Sequence, residues 1–422
     1  MKRICLALCI VFSIVFLGCK NKSKPIVNLN PIIIWTESPD FASCVELFNA
    51  THENEKAIVI YKESVSKALH SVSNEQVPDI VIGSWLKNSQ TRKYFSQLDF
   101  LFQEQQVFRS AFYSKILDYG MLNDKQYLIP VSFNLPAIIF NKKNESYVES
   151  THLLNVAQIK QFAGNFNKKN KSDVYTAIGY APSWDPEFLY ELAKLNGAQF
   201  REKGVSFTWN PQAIENIITS TKEWTIARNG STSIEQNFQF KYLFMPKYRQ
   251  VSTDHCLFAY ETSNNFFPLI DSQNSSLSFR WLEKDSHICI EDDIVTMGLY
   301  KHSKNKNFAY KFIVWFNNEE TQKALIERKH KMNLDIISFG IAGGFSAIKA
   351  VNEKYYPLYY RQVLGNMPSE NYFELPKILP YRWPNLKKNV ILPFLQESCN
   401  TDEKKECKTI EQRIQDWKKT YF

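Results

Sequence analysis

The side chains in this chain with chemistry to offer are carboxylates and aromatic rings, not nucleophiles or phosphate loops. Adjacent carboxylates stand at Asp292-Asp293 and Glu319-Glu320. Glycoside hydrolysis needs two carboxylates facing each other across a bond, which adjacency in sequence neither supplies nor excludes. No P-loop, HExxH pair or GxSxG elbow is present. Gly340–Ser346, GIAGGFS, lacks the spacing of a dinucleotide fingerprint and reads as a turn. Nothing positive therefore points to an enzyme, and no cofactor is expected. His255-Cys256 and His287-x-Cys289 would make a two-histidine, two-cysteine metal site if their strands were adjacent. A buried cysteine pair or a disulfide is the stronger reading, and no metal is assigned. Aromatic content is high, 14% with 31 Phe. Most rings belong to cores, and the remainder can line a site for flat or ring-shaped ligands.

The elements that position such groups are arranged around Gln126–Lys142, QYLIPVSFNLPAIIFNK. Two strand-length apolar runs, Tyr127–Val131 and Ala137–Phe140, flank Ser132, Phe133 and Asn134, with Pro130 and Pro136 on either side. Proline cannot donate to a sheet ladder, so the stretch predicts a strand that leaves one sheet, crosses open space and enters a second. It is a hinge candidate, and a cleft between lobes is where ligand sites form preferentially.

Before the hinge, Ile32–Trp35, Ala57–Tyr61 and Asp79–Ile82 read as strands. Ser38 and Pro39 open a helix that runs through Asn49. Alternating strands and helices predict a parallel, helix-covered sheet, with Glu37, Asp40 and Trp85 at the strands' carboxyl ends, where ligands bind. After the hinge, helices are expected over 184–198, opened by Trp184 or Asp185 before Pro186, and over Asn210–Arg228. His255–Glu261 is a strand that ends at Tyr260 and Glu261, and Ser286–Leu299 is a strand pair returning to the first lobe. Phe308, Phe312, Trp315, Phe316, Ala324 and Leu325 give Asn307–Arg328 one helical period. Trp383 precedes a helix over Leu386–Gln396, and another covers Thr409–Lys419. Trp35 and Trp315 look like core.

At 422 residues the chain exceeds one core. Its net charge of +8 is scattered, without the basic face that nucleic-acid binding wants. Met1–Cys19 has Lys2 and Arg3 before an apolar run too short to span a bilayer, the pattern of a secretory signal. Export permits disulfides, and Cys399 with Cys407, in a polar tail, is the expected pair. Phe16-Leu17-Gly18-Cys19 resembles a bacterial lipobox, with Phe16 departing from the usual aliphatic residue. Residues 1–18 are then a leader, Cys19 carries lipid, and 19–30 form a tether, so the membrane is met through the anchor.

The chain resembles the extracellular solute-binding proteins of family 1, the lipid-anchored sugar-binding components of ABC importers, spirochaete versions above all. The resemblance is carried by Trp35–Asn49, Pro78–Leu86, the hinge stretch, Ser183–Phe200, Phe258–Phe267 and Phe339–Tyr360. It implies an α/β, two-lobed periplasmic binding protein fold of type II, each lobe a central sheet flanked by helices around a cleft. Residues 31–131 and 293–345 would form lobe one, and 132–292 and 346–422 lobe two. It implies a monomer that holds a mono- or oligosaccharide and meets a transporter permease. In maltose-binding relatives carboxylates and stacked rings hold the sugar. Matching phrases place Glu37 and Asp40 at the rim, then Trp85, Asn134 (a glutamate in those relatives), Trp184, Asp185, Tyr260, Glu261 and Trp383. A non-sugar solute, or a surface interaction lipoprotein keeping the fold, are the alternatives.

Overall fold

A computed structural model describes residues 30–421 apart from 73–76, 149–151, 205, 274–275, 336 and 403–406. The leader, Cys19 and nearly all of the tether lie outside the described residues. Among the described residues no helix is long and apolar enough to cross a membrane.

The elements used below are β1 (Ile32–Thr36), α1 (Asp40–Thr51), β2 (Ala57–Tyr61), β3 (Ile80–Gly83), β4 (Leu128–Phe133), β5 (Pro136–Asn141), β6 (Leu153–Asn155) and α2 (Pro186–Leu195). They continue with α3 (Pro211–Arg228), α4 (Thr232–Lys241), α5 (Lys247–Ser252), β7 (Phe258–Thr262), β8 (Leu277–Glu283), β9 (Ile288–Cys289) and β10 (Val295–Leu299). Last come α6 (Lys306–Phe316), α7 (Glu319–Lys331), β11 (Phe345–Ser346) and β12 (Phe373–Glu374).

A six-stranded sheet runs in the order β11-β4-β10-β3-β1-β2, and a four-stranded sheet in the order β7-β5-β8-β6. β1 pairs in parallel with β2 and β3, as alternating strands and helices require, while β10 enters antiparallel. The hinge stretch leaves the first sheet as β4 and enters the second as β5, with Asn134 and Leu135 between. Both prolines sit where proline is tolerated. Pro130 lies at a register shift between β4 and β10, and Pro136 is the first residue of β5.

The two lobes are joined by packing as well as by chain crossings. One apolar cluster passes from Ile34 and Phe48 through Phe133 and Leu135 to Phe279 and Trp281. Phe267 of lobe two meets Phe345 of β11 edge-on at 5.7 Å. A second cluster joins residues of 189–214 to residues of 379–417, where Trp383 and Tyr190 are buried beside Phe200.

Several local expectations need correction. The first helix begins at Asp40 with Pro39 at its cap and no side chain capping it; the Ser38 amide, ahead of the helix, donates to Thr36 Oγ1 at 3.1 Å. The single helix expected over Asn307–Arg328 is two, α6 and α7, broken at Asn317-Asn318. Asn318 Oδ1 accepts from the amides of Glu320 and Thr321, so it starts a new helix rather than continuing the old one. The expected Cys399–Cys407 disulfide is absent. Both thiols are free, Cys399 buried beside Thr221 and Cys407 exposed. Cys256 and Cys289 are also free and buried, and the expected adjacent strands do not form: Cys256 precedes β7, while Cys289 ends β9, which pairs with β12. Among the described residues no three His, Cys, Asp or Glu side chains are grouped to hold a metal ion.

Candidate functional site

The chain's first-lobe strands end at a cleft. Beyond β3 comes Trp85, which lines a cavity of about 610 Å³ whose other walls come from the second lobe and from Asp293 just before β10. Trp85 holds φ at +63°, a conformation that costs a non-glycine residue roughly 1–3 kcal/mol and marks a site over-determined by its surroundings. Two hydrogen bonds hold that turn: Asn88 Nδ2 donates to Trp85 O at 2.6 Å, and Thr91 Oγ1 donates to Leu86 O at 2.7 Å. The indole packs against the cluster that contains Trp383, so one ring touches both lobes.

From the second lobe, β7 delivers Tyr260 and Glu261 to the cleft, and the start of α2 delivers Asp185. Asp185 caps α2 by accepting from the amide of Glu187 at 3.1 Å, with Pro186 at the first helical position. Its other oxygen holds Lys247, at the start of α5. Tyr260 donates its hydroxyl to Glu291 Oε1 at 3.1 Å. Trp383 is buried in the cleft wall and donates Nε1 to Asp292 Oδ2 at 3.0 Å, where Tyr190 also donates at 2.6 Å.

Five of the nine expected contact residues are therefore brought together: Trp85, Asp185, Tyr260, Glu261 and Trp383. The other four are spent elsewhere. Glu37 accepts the backbone amides of Ser84 at 2.7 Å and Val65 at 3.3 Å, bracing the ends of β1 and β3. Gly83 leaves room for it, since a Cβ there would sit 2.9 Å from the Glu37 carboxyl carbon. Asp40 pairs with Lys329 at 2.8 Å and takes the Ser338 hydroxyl, behind the sheet. Trp184 stacks on Phe238 and donates its indole to Glu235 O at 2.9 Å, fastening α4 to the lobe. Asn134 is a hinge brace. It donates to Gly343 O at 3.1 Å, accepts the buried Ser263 hydroxyl at 2.6 Å, and its carbonyl accepts the Glu291 amide at 3.0 Å.

Sequence reasoning missed the acids that Asn134 helps to place. Glu291, Asp292 and Asp293 all line the cleft, with Glu187, Lys247, Lys387 and Lys388. The signal available was the Asp292-Asp293 pair in the returning segment, next to a lobe crossing. Asp293 keeps an exposed surface within the cleft, yet the crowding of protein around it, then the charge of Glu291, push it up to about 6, against the partial opposition of Lys387. Burial raises Glu261 as well, with Lys247 opposing. Burial, then Glu291, hold the Tyr260 phenol well above its usual value. Lys387 is raised despite burial, because Asp292, Glu187 and Glu291 surround it. Desolvation leads at Asp293, Glu261 and Tyr260, and the Lys387 shift is the one that reports surrounding negative charge.

Chemically, the wall offers carboxylate acceptors beside the flat apolar face of Trp85. Such a surface suits a polyhydroxylated ring, with hydroxyls at the rim and C–H groups on the faces.

No family model matches the sequence, and no curated protein matches it either. Solved structures do match in fold. An extracellular solute-binding protein family 1 from Alicyclobacillus acidocaldarius superposes with a TM-score of 0.62 at 11% identity, covering 92% of this chain and 98% of that one. An ABC substrate-binding protein from Listeria monocytogenes in complex with cycloalternan gives 0.59 at 15% identity, covering 92% and 96%. The galacto-N-biose-/lacto-N-biose I-binding protein from Bifidobacterium longum, in complex with lacto-N-biose, gives 0.58 at 13%, again over 92% and 96%. The chain thus has the α/β, two-lobed fold of type II periplasmic binding proteins.

Proposed function

We propose that this chain is a lipid-anchored, extracytoplasmic solute-binding protein that captures a saccharide between its lobes and delivers it to an ABC importer. One observation carries the reading: carboxylates from both lobes and the partly exposed Trp85 ring meet in a single cleft beside a two-sheet hinge. The structures of like fold with bound saccharides support it, and the lipobox-like Phe16–Cys19 supports the anchor. Lobe one is taken as 31–131 with 293–345, and lobe two as 132–292 with 346–422. The protein binds and releases; it does not turn over its ligand. Sugar acts by favouring the closed arrangement over the open one, which is what a transporter would read.

A thermal-shift screen of the chain from residue 24 onward against saccharides, amino acids, polyamines and metal ions tests this. A ligand at about 100 times its Kd adds roughly 2.7 kcal/mol of stability. A saccharide shift that is lost in Trp85→Ala and Glu261→Gln supports class and site together. Amino acids shifting the midpoint while every saccharide leaves it unmoved would sink the reading.

A second reading, a surface interaction lipoprotein, draws support from an apolar patch at the end of α4. Phe240, Leu243 and Phe244 are 74%, 60% and 95% exposed there. Contiguous exposed apolar side chains mark interaction sites. Loss of partner binding in Phe244→Ser, with saccharide binding intact, would separate this surface from the cleft.

A further inference from the structure

The charges around the cleft do not balance. Six carboxylates face three lysines along its wall. Two of those lysines are already committed, Lys247 to Asp185 and Lys387 to Glu187 at 2.7 Å. Among the described residues Glu261, Glu291 and Asp293 have no ion-pair partner, and Lys388 is the one lysine left to face them. Behind them Asp292 is 3% exposed; its Oδ2 takes the Tyr190 and Trp383 donors, while its Oδ1 accepts no hydrogen bond. The nearest cation to Oδ1 is Lys194, 3.9 Å away and shared with Glu191 at 2.7 Å.

This imbalance bears on what the lobes can close over. Closing removes water from the wall, and carboxylates withdrawn from water without a counter-charge carry a large desolvation cost. A neutral sugar brings hydroxyl donors but no charge. A ligand bearing an ammonium brings three donors and the missing charge together, through the stronger, charge-assisted class of hydrogen bond. Of the wall's rings Trp85 is partly exposed while Tyr260 and Trp383 are buried; the Trp85 face accepts either ligand, so it does not discriminate.

We propose that the cleft selects a saccharide carrying a free, protonated amine, seated against Glu261, Glu291 and Asp293. The proposal rests on the saccharide reading and narrows it. Its pH dependence follows from the groups that face Asp293. These are Glu291 and Asp292 on its own segment, Lys387 from the C-terminal helical stretch, and the buried Tyr119 phenol of lobe one. With Asp293 raised to about 6, part of the attraction is lost as pH falls from 7 to 5.

Calorimetric titration of the mature lipoprotein in detergent with matched probes tests it. The probes are a β-1,4-linked glucosamine oligosaccharide, its fully N-acetylated counterpart, the glucose oligosaccharide of equal length, and spermidine. The expected result is at least about tenfold tighter binding of the free-amine saccharide than of the other two. That preference narrows at pH 5 and in Asp293→Asn and Glu261→Gln, each checked for an unchanged circular dichroism spectrum. Equal binding of all three saccharides overturns the amine preference and leaves the saccharide reading standing. Tight binding of spermidine with no saccharide bound keeps the demand for an ammonium and overturns the saccharide reading. Silence from all four overturns both.

Discussion

Asp293 holds its proton to a higher pH than an aspartate in water does, and the sign of the consequence is fixed. Below the unfolded carboxyl's usual value, near 3.9, both states are protonated. Between there and about 6 the folded state keeps a proton that the unfolded chain has lost. The group's contribution to stability therefore falls as pH rises through that window. In the ligand-free protein Asp293→Asn should raise the melting midpoint at pH 7.5 and leave it nearly unchanged at pH 4, by differential scanning calorimetry. An equal rise at both values would mean that the carboxylate is not strained by its neighbours. Cysteine chemistry makes a second test at this scale. Cys44, Cys256, Cys289 and Cys399 are buried and only Cys407 is exposed among the free thiols. Ellman's reagent should titrate one thiol of residues 30–422 in native buffer and five in denaturant, and a reductant should not move the melting midpoint. A single-residue view also explains why Glu37 read as a ligand. A carboxylate at a strand's end looks free in sequence, while the amides of Ser84 and Val65 that consume it come from 47 and 28 residues away.

Elements were legible where one residue type has few legal positions. Proline marked the hinge on both sides, and the Asp185-Pro186 and Asn210-Pro211 pairs marked the starts of α2 and α3. The break between α6 and α7 was not legible from periodicity, because the apolar positions stay in phase across it. Asn317 and Asn318 carried that information instead: Asn317 Nδ2 turns back to Ile313 O at 2.8 Å while Asn318 caps the next helix. The glycine-rich turn at Gly340–Ser346 proved to be part of the hinge. A Cβ at Gly344 would lie 2.7 Å from the Phe133 carbonyl and 3.2 Å from the Asn134 amide nitrogen. Gly344→Ala must push the crossing apart, where backbone rather than a flexible side chain is in the way. The expected outcome is a melting midpoint lower by several degrees and weaker binding of whichever ligand the thermal-shift screen identifies, although residue 344 is not among those lining the cleft. Unchanged binding would uncouple this turn from the site.

At the scale of the molecule, the two-sheet plan was readable because a chain that must leave one sheet and enter another announces it in composition. The membership of the cleft was only half readable. Trp85, Asp185, Tyr260, Glu261 and Trp383 follow strand ends or helix starts, where ligands gather. Glu291, Asp292 and Asp293 reach the same wall through a return crossing whose position depends on Asn134, far away in sequence. No local pattern encodes that meeting. The apolar cluster continuous from Phe133 to Trp281 restricts how the lobes can move, since packed side chains resist shear and leave rotation about the crossings. Trp85 then acquires a use apart from binding. Its indole belongs to one lobe and rests against the other, while Trp35, Trp224, Trp281, Trp383 and Trp417 are buried and Trp184, Trp209 and Trp315 are partly buried. Any separation of the lobes wets the Trp85 ring, and wetting an indole moves its emission to the red. The protein thus carries its own optical gauge of opening, readable without a label and silenced by Trp85→Phe.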